Sequence, residues 1–380
     1  MKILVIGSGG REHSLAWKSA QSADVEKVYV APGNAGTANE PKLENLAIDV
    51  MDFSALAEFA KNESIALTIV GPEAPLVDGI VNYFRERDLP CFGPSSDAAQ
   101  LEGSKAFTKD FLKRHNIPSA AYQTFTEITP AIAYIEEQGA PIVIKADGLA
   151  AGKGVIVALT IAEAIATVED MLSGNKFGDA GHRVVIEGFL SGEEASFIAM
   201  VDGKNVLPMA TSQDHKARDN GDLGPNTGGM GAYSPAPVVT EEVYQRIMDQ
   251  VILPTVEGMA ADGNDYTGFL YAGLMVSPDG SINVVEFNCR FGDPEAQPIM
   301  LRLKSDLVSL CLAAINQTLD SEQAEWDSRS AVGVVLASGG YPDSYNKGDA
   351  ISGLGCERDD SQKVFHAGTA ESDGQIVSNG

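Results

Sequence analysis

The first hundred or so residues alternate short apolar runs with amphipathic stretches, and this alternation is the feature that most limits the possible folds. Apolar runs predict strands at 2–6, 27–30, 46–48, 66–70 and 91–92. Amphipathic patterns between them predict helices, among them 53–62 and 74–87. Strands that alternate with helices, with Gly or Pro just after each strand, predict a parallel sheet covered by helices. Ligands of such sheets bind at the carboxyl ends of the strands.

Loops rich in glycine or proline fall at that edge of the predicted sheet: GSGGREH (7–13), APGNAGT (31–37) and GPEAPL (71–76). The first contains part of the dinucleotide-binding fingerprint G-x-G-x-x-G, which also needs an acid at the end of the second strand. Glu12 stands at the position of the third glycine, and the second strand ends in VYVAPG, which has no carboxylate. The sequence therefore argues against NAD binding.

The same loop can still bind another anion. Ser8–Arg11 offer consecutive backbone N–H groups at the start of a helix, and Arg11 adds a positive charge. Such a cradle suits a single phosphate. A tight turn from strand to helix, without any ligand, is the alternative that the loop alone leaves open.

Composition excludes some partners. The chain has 380 residues and a formal net charge of −26; the length predicts roughly two to four domains, and the acidity disfavours nucleic acid and anionic membranes. No run approaches the roughly 18 apolar residues of a membrane span, and the N-terminal apolar run is too short for a signal peptide, so we expect a soluble, cytoplasmic protein. The cysteines are far apart, as expected of reduced structural thiols: Cys91, Cys289, Cys311 and Cys356.

A second region follows a linking segment at 92–105. Its predicted strands are 121–125, 140–148, 153–159, 182–190 and 194–201, and its predicted helices are 105–115, 160–172, 240–261 and 304–316. The polar stretch 212–237 is long for a loop in a compact domain, which indicates a functional segment. Residues 266–292 predict a hairpin that turns at SPDGS. From about residue 331 a smaller β-rich region begins; the chain stops at a turn sequence, so we expect this last domain to be incomplete.

A second glycine loop lies in KADGLAAGKGVIV (145–157). It is not a Walker A loop, because the spacing is one residue short and Gly154 stands where Ser or Thr would bind Mg²⁺. It joins two predicted strands, so it could fold over a triphosphate as a lid. Lys145 shares a strand face with Val143, and a buried lysine there would need an anion; a lysine that extends to the surface is the alternative.

The most chemically informative stretch is NVVEFNCRFGDPEAQ (283–297). Glu286, Asn288 and Arg290 alternate and therefore share one face of a strand. Carboxylate and amide oxygens suit Mg²⁺ that bridges phosphates, and an arginine beside them can bind a carboxylate through two N–H groups. A solvated polar face is the alternative. With Glu187 and Glu194 at strand ends, these features predict an ATP–Mg²⁺ site without a Walker loop.

These residues carry a family resemblance. Lys105, Lys145, the 148–154 loop and the Glu286–Asn288–Arg290 strand resemble the ATP-grasp fold. RFGDPEAQ (290–297), QDHKARDNGDLGPNTGGMGAYSPAP (213–237) and GSGGREH resemble the phosphoribosylamine–glycine ligases, or glycinamide ribonucleotide synthetases, over essentially the whole chain. The resemblance implies an enzyme of the second step of purine biosynthesis, which joins glycine to 5-phosphoribosylamine while ATP becomes ADP and phosphate.

The resemblance also implies the domain organisation of an α/β protein. It implies an N-terminal parallel-sheet, Rossmann-like domain that binds the ribotide, an ATP-grasp core with a small lid subdomain, and a partial β-rich C-terminal domain. The expected boundaries are 1–103 for the first, 104–123 and 192–327 for the core, 124–191 for the lid, and 328–380 for the last.

Site residues are carried over position by position. The resemblance implies that ATP is bound by Lys105, Lys145, Gly152, Lys153, Gly154, Glu187, Leu190 and Glu194. Glu187 and Leu190 would meet adenine, largely through the backbone, and Glu194 the ribose. Glu286 and Asn288 match the ligands of Mg²⁺ or Mn²⁺. The implied catalytic residues are Arg290, Lys145 and Asp214, and the implied substrate-binding residues are Gly9, Gly10, Arg11, Gly71, Pro72, Glu73, Asp214, Thr227, Gly228, Gly229, Met230, Arg290, Asp293 and Glu295.

One departure concerns the metal. Many ATP-grasp enzymes place a second metal-binding acid on the strand before the one that carries Glu286, but YAGLMV (271–276) has none. We therefore expect one metal ion to be held mostly by phosphates and water.

The chemistry implied needs no enzyme nucleophile: the glycine carboxylate attacks the γ-phosphate, and the phosphoribosylamine nitrogen displaces phosphate from glycyl phosphate. The expected partners are these two substrates only, bound by a monomer or a small homo-oligomer. Alternatives are another ATP-grasp ligase or carboxylase acting on a related ribotide, an NAD-dependent dehydrogenase, and a nucleotide sensor without turnover.

Overall fold

The protein is described by a computed structural model over residues 1–149, 154–173, 182–355, 359 and 361–380. Its N-terminal region forms a parallel sheet in the order β3-β2-β1-β4-β5. The strands are β1 (Lys2–Gly7), β2 (Lys27–Pro32), β3 (Leu43–Asn45), β4 (Ile65–Val70) and β5 (Cys91–Phe92). The predicted parallel sheet is confirmed, and β1 lies at its centre between β2 and β4.

Helices cover this sheet: α1 (Gly10–Ala20), α2 (Phe53–Asn62), α3 (Glu73–Val77), α4 (Ile80–Arg85) and α5 (Gln100–Gly103), with a 3₁₀ turn at Thr37–Asn39. The single helix predicted at 74–87 is two helices, because Gly79 between them has a φ of 88°. The strand predicted at 46–48 lies instead at Leu43–Asn45, where Val28 and Val30 of β2 supply its pairing partners.

The next segment folds as a smaller unit with its own apolar core. It follows α6 (Lys105–Arg114), which packs on the main core. The unit contains β6 (Tyr122–Phe125), α7 (Ile128–Gln138), β7 (Ile142–Ala146), β8 (Val155–Ala158), α8 (Ile161–Leu172) and β9 (Val184–Gly188). The antiparallel order is β6-β9-β7-β8, and α7 and α8 pack on it through Ala131, Ile135, Ala164 and Val168. Gly152 and Lys153 of the predicted lid loop lie outside the described residues.

The central sheet is antiparallel, in the order β11-β10-β16-β17. The elements here are β10 (Glu193–Asp202), β11 (Val206–Pro208), β12 (Gln213–Asp214), β13 (Ala217–Asp219), β14 (Leu223–Asn226), β15 (Gly231–Ser234), α9 (Glu241–Ile247), a π-helical turn at Met248–Ile252, α10 (Leu253–Ala261), β16 (Thr267–Val276) and β17 (Ile282–Asn288). The hairpin predicted at 266–292 is β16–β17. Helix α9, the π-helical turn and α10 bury Ile247, Val251 and Val256, respectively, against the same core as β16 and β17.

The remaining elements are α11 (Ala296–Arg302), α12 (Leu307–Ile315), a 3₁₀ turn at Leu319–Ser321, β18 (Ala331–Val334), β19 (Thr369–Ser372) and β20 (Gln375–Ser378). β18 pairs with β15 and so ties the C-terminal region to the central one. Cys91, Cys289 and Cys311 are free and buried, as predicted, while Cys356 lies outside the described residues. No helix among the described residues is long and apolar enough to cross a membrane.

Candidate active site

A cleft of about 470 Å³ lies where the N-terminal region, the β6–β9 unit and the central sheet meet. Many of the residues predicted to form a site line this cleft: Arg11, Glu73, Lys105, Lys145, Gly154, Glu187, Leu190, Glu194, Asp214, Thr227, Gly228, Glu286, Asn288, Arg290, Asp293 and Glu295. The cleft lining does not include Gly9, Gly10, Gly71, Pro72, Gly229 or Met230. Segments far apart in the chain therefore meet in one place.

The floor of the cleft is one face of the central sheet. Side chains alternate along a strand, so Glu286 and Asn288 of β17 share a face. Across the β16–β17 ladder, Tyr271 is opposite Asn288 and Gly273 is opposite Glu286. This face of β16 therefore presents the Tyr271 phenol and Gly273 beside Glu286 and Asn288, the predicted metal ligands. No second acid lies there, as the sequence of 271–276 indicates.

Glu286 is held ionised by the cations around it. The charge of Lys216, whose Nζ lies 3.4 Å from Glu286 Oε1, outweighs burial and lowers the pKa of Glu286 to about 2. Burial opposes the charge on Lys216, but Glu286, Asp214 and Glu194 outweigh that effect and raise its pKa well above the ordinary value. Lys216 was not predicted from the sequence, although it lies within the 213–237 stretch.

Lys145 and Glu187 form a buried ion pair, and Lys109 of α6 pairs with the other oxygen of the same carboxylate. Lys145 Nζ also donates to the Val285 carbonyl, at 2.9 Å. The Glu187 side chain thus neutralises two lysines. The contact of its backbone with adenine stays a prediction. Lys109 was missed; its signal was its position four residues after Lys105, which places both on one helix face.

The part of the cleft beside the β6–β9 unit is otherwise apolar. Val143, Val155, Val185, Leu190 and Met275 line it. At its edge, Lys105 Nζ donates to the Gly148 carbonyl at 2.8 Å, and burial lowers the pKa of Lys105. A flat apolar slot with cations at one end can accept a purine and its phosphates.

Arg290 lies at the opposite end, between two acids. Its Nη2 is 3.0 Å from Glu102 Oε1, and its Nε is 3.5 Å from Glu73 Oε2. Its Nη1 donates to the Phe291 carbonyl at 3.2 Å. Glu102 was not predicted, because nothing near it in the sequence connects it with Arg290.

Asp214 and Glu295 form a second acidic group beside Lys216. Ser196 Oγ donates to Glu295 Oε1 at 2.8 Å and lies 3.0 Å from Tyr271 Oη. These contacts hold the Glu295 carboxylate in place. Burial and the charge of Glu295 raise the pKa of Asp214 to about 7, against the effect of Lys216.

The Thr227–Met230 turn is tied to the segment that carries Lys216. Thr227 donates to the Lys216 carbonyl from both N, at 2.7 Å, and Oγ1, at 2.9 Å. Gly228 N donates to Tyr341 Oη at 3.1 Å, so the C-terminal region reaches this edge of the cleft. Gly229 has a φ of 127° and leaves no room for a Cβ beside Pro294.

The opening loop is occupied by a carboxylate of the chain itself. Gly9 N donates to Glu12 Oε2 at 2.6 Å, and Arg11 Nε donates to Glu12 Oε1 at 2.5 Å. A Cβ at Gly71 would lie 2.4 Å from Glu12 Cγ, so this glycine makes room for the Glu12 side chain. The phosphate cradle predicted at Ser8–Arg11 stays a prediction; of these four residues, the cleft lining includes only Arg11.

A divalent cation fits the donor set at Glu286 and Asn288. The first is an ionised carboxylate, the second an amide oxygen, and both line the cleft. Across the residues that the structure describes, no group of three or more His, Cys, Asp and Glu side chains could hold a metal ion alone. The chain therefore supplies hard oxygen ligands that suit a cation whose remaining ligands come from phosphates and water.

Comparison with known proteins agrees with this geometry. Family models of phosphoribosylglycinamide synthetase match the chain in three parts: the N domain at 1–102, the ATP-grasp (A) domain at 103–296 and the C domain at 331–380. A phosphoribosylamine–glycine ligase of Vibrio parahaemolyticus is 68% identical over 380 residues, which cover 100% of this chain and 89% of the relative.

Solved structures show the same fold. The crystal structure of a phosphoribosylamine–glycine ligase from Thermotoga maritima is 33% identical, with a TM-score of 0.84 over 100% of this chain and 90% of that one. A biotin carboxylase from Campylobacter jejuni, at 15% identity and a TM-score of 0.71 over 92% of this chain and 79% of that one, shares the fold alone. The chain belongs to the phosphoribosylglycinamide synthetase family of ATP-grasp proteins, to which the phosphoribosylamine–glycine ligases belong.

Proposed function

We propose that this cleft performs the ATP-dependent ligation of glycine to 5-phosphoribosylamine, which gives glycinamide ribonucleotide, ADP and phosphate in the second step of purine biosynthesis. The chain is an ADP-forming ligase by its family. The observation that carries the assignment of roles is that one cleft joins an apolar slot with lysines, the Glu286–Asn288 pair and Arg290. These are the groups needed for a nucleotide, a metal and a carboxylate substrate.

ATP lies in the half of the cleft between the β6–β9 unit and the central sheet. Its base packs against Leu190 and the valines, Glu194 accepts from the ribose, and Lys105 and Lys145 hold phosphate oxygens. In this structure Lys145 pairs with Glu187 and donates to Val285 O. A phosphate oxygen would therefore compete with these acceptors for an ammonium group that the protein has already positioned. The 148–154 loop, whose residues 150–153 lie outside the described part of the chain, would act as the lid that excludes water from the phosphates.

Glu286 and Asn288 would hold the divalent cation, Mg²⁺ or Mn²⁺. When bound, the cation neutralises charge on the transferred phosphoryl group. Because the pKa of Glu286 is about 2, this carboxylate is ready as a ligand throughout the physiological range of pH.

Glycine binds between Arg290 and the acids of the cleft. Arg290 binds the carboxylate, and Glu295 and Asp214 face the ammonium group. The Thr227–Met230 turn, with Gly228 and Gly229, and Asp293 close this part of the site. Arg11 and the loops at Gly9–Gly10 and Gly71–Glu73 bind the ribotide, whose amine must reach the glycyl carbon.

The chemistry then needs position and charge compensation more than covalent catalysis. A glycine carboxylate oxygen attacks the γ-phosphorus, and the bond to the ADP oxygen breaks. The phosphoribosylamine nitrogen attacks the carbonyl carbon of glycyl phosphate, the C–O bond breaks, and phosphate leaves. Asp214, with a pKa of about 7, accepts the proton that the nitrogen loses. We also place the enzyme in the cytoplasm, as a monomer or small homo-oligomer that binds neither nucleic acid nor membranes.

Arg290→Ala tests the carboxylate role. Loss of the guanidinium should lower ligation by about 10³-fold or more, which corresponds to about 4 kcal/mol, and should leave ATP affinity within about threefold. The measurement is ADP release with and without glycine, in an assay that generates the unstable phosphoribosylamine in situ, together with an ATP titration. Arg290→Lys, which keeps the charge but not the fork, gives a second variant.

Arg218→Ala is the matched control, because Arg218 is half-exposed in the β13–β14 hairpin and pairs with Asp219. It should leave both measurements unchanged. Equal losses of ATP affinity and ligation in Arg290→Ala would contradict the role given to Arg290. ADP release that depends on bicarbonate and not on glycine would favour a carboxylase instead.

A further inference from the structure

Two carboxylates from the N-terminal region flank Arg290, and they are not equivalent. Glu73 begins α3, is 29% exposed in its side chain and approaches Arg290 only at 3.5 Å. Glu102 lies in α5, has a side chain that is 7% exposed and approaches Arg290 at 3.0 Å. The first can exchange with water or substrate, whereas the second is enclosed by protein.

Glu102 holds the β17 strand end at two points. One oxygen pairs with Arg290 Nη2, and the other accepts from Cys289 N at 2.7 Å. A single carboxylate thus fixes the guanidinium and the backbone of the residue before it. Two contacts to adjacent residues restrict the Arg290 rotamer more than one ion pair would.

Packing keeps Glu102 itself in place. Leu101 beside it is buried, and Cys289 Sγ lies 3.8 Å and 3.7 Å from the carbonyls of Ala98 and Ala99. The segment that carries Glu102 therefore packs on the strand end that carries Arg290. This is a rigid support, formed by two stretches that are far apart in the sequence.

The support leaves part of Arg290 free to bind. The guanidinium has five N–H groups; Nη1 donates to Phe291 O, and Nη2 pairs with Glu102 and donates to Asn288 Oδ1 at 3.5 Å. Within the described residues, Nε is buried and makes no hydrogen bond, although it lies 3.5 Å from Glu73 Oε2. A planar fork held from one edge can present its other N–H groups to a small carboxylate.

We propose that Glu102 is a positioning residue for glycine, which holds Arg290 in the orientation that binds the glycine carboxylate. This inference rests on the role given to Arg290 in the proposed function. A freely rotating arginine must lose rotamer entropy when glycine binds. Glu102 has already restricted Arg290, which approaches the more exposed Glu73 only at 3.5 Å. Glycine is too small to compensate for a misplaced arginine with other contacts.

Glu102→Gln tests this role, because it keeps the shape and an acceptor for Cys289 N but removes the negative charge at Arg290. We expect KM for glycine to rise by about 10- to 100-fold, KM for ATP to change by less than about twofold, and kcat to fall less than KM rises. Glu102→Asp, which keeps the charge on a shorter side chain, should be intermediate.

Asp202→Asn is a matched control. Asp202 is a fully buried carboxylate that accepts from the backbone amides of Asn205 and Leu319, away from the cleft. It should lower thermal stability and leave KM for glycine unchanged. If Glu102→Gln behaves like this control, or raises both KM values equally, Glu102 is only structural and the inference is overturned.

Arg290→Lys separates the role of Arg290 from the role of Glu102. A raised KM for glycine in Arg290→Lys with a normal one in Glu102→Gln would overturn the role of Glu102 alone. A normal KM for glycine in Arg290→Lys would overturn the assignment of Arg290, and the inference would fall with it. A rise in both variants supports both.

Discussion

Two carboxylates in the cleft have pKa values that the protein moves in opposite directions. Lys216 and the other cations lower the pKa of Glu286 to about 2, while burial and neighbouring acids raise that of Asp214 to about 7. One side chain is therefore always an anion, suited to a metal, and the other can gain or lose a proton near neutral pH. Environments that separate pKa values in this way often assign acid–base roles.

Asp214→Asn should reveal this shift as a change in stability with pH. The pKa of Asp214 is raised from 3.8 to about 7, so the folded state binds the proton more tightly than the unfolded state does. Its contribution is fully present below the unfolded pKa and is lost as pH rises through about 7. Relative to the wild type, Asp214→Asn should therefore gain about 1–3 kcal/mol between pH 5 and pH 8.

Urea unfolding at several pH values measures this difference. The asparagine variant should also lose the rise in ligation rate near pH 7 that a proton acceptor with this pKa produces. A stability difference that is independent of pH would contradict the raised pKa of Asp214.

The opening loop shows what single residues can and cannot indicate. In the sequence, Glu12 stands at the position of the third glycine of the fingerprint. The sequence did not indicate that the Glu12 carboxylate would turn back to accept from Gly9 N, since that contact depends on where β4 and Gly71 lie. The glycines here make room for a side chain of the protein as well as for any ligand.

At the scale of elements, the start of α6 is joined to the end of β7. Asp147, just after β7, accepts from Ser104 Oγ and Ala106 N, each at 3.1 Å, and from Arg183 Nε at 2.7 Å. Ser104 is also the N-cap of α6. One buried carboxylate thus links the helix that carries Lys105 and Lys109 to the strand that carries Lys145.

Asp147→Ala should destabilise the protein by about 2–3 kcal/mol, because it leaves a helix N–H and an arginine without their acceptor. ATP affinity should fall as well, since Lys105 is the first residue of α6. Asp147→Asn, which can still accept from Ala106 N, should lose less. Urea unfolding and an ATP titration check both effects, and a loss below about 0.5 kcal/mol for Asp147→Ala would contradict the linking role.

Elements with strong periodicity were predicted well. The helix at 53–62 has its predicted bounds, and the β16–β17 hairpin turns where SPDGS indicated. α11 (Ala296–Arg302) was not predicted, because it is short and its first two residues are the end of the chemically distinctive RFGDPEAQ (290–297). The strand at Leu43–Asn45 was wrongly predicted at 46–48, because parallel pairing with β2, rather than local hydrophobicity, determines its position.

At the scale of the whole molecule, the C-terminal region is connected to the cleft. β18 extends the sheet of β12 and β15, and Tyr341 beyond it accepts from Gly228 N in the Thr227–Met230 turn. The region after β18 thus contacts the Thr227–Met230 turn at the edge of the cleft. The domain boundaries given above stay a prediction.

Tyr341→Phe should lower kcat/KM for glycine by about three- to tenfold, because the Gly228 amide loses its acceptor and the turn is held less firmly. The free energy of unfolding should change by less than about 1 kcal/mol, since only a hydroxyl is removed. Tyr345→Phe, which removes a hydroxyl from a neighbouring ring, is the control. An unchanged kcat/KM for Tyr341→Phe would show that the C-terminal region does not support this turn.

The sequence by itself determined the parallel sheet, the ATP-grasp family and a set of site residues most of which line the cleft, because these are recorded in local patterns and in motifs such as Glu286–Asn288–Arg290. Only the tertiary structure decided the partners of those residues. Lys109 and Lys216 join Glu187 and Glu286, and Glu102 contacts an amide 187 positions away. Such contacts depend on how distant segments pack, and no periodicity or spacing along the chain encodes them directly.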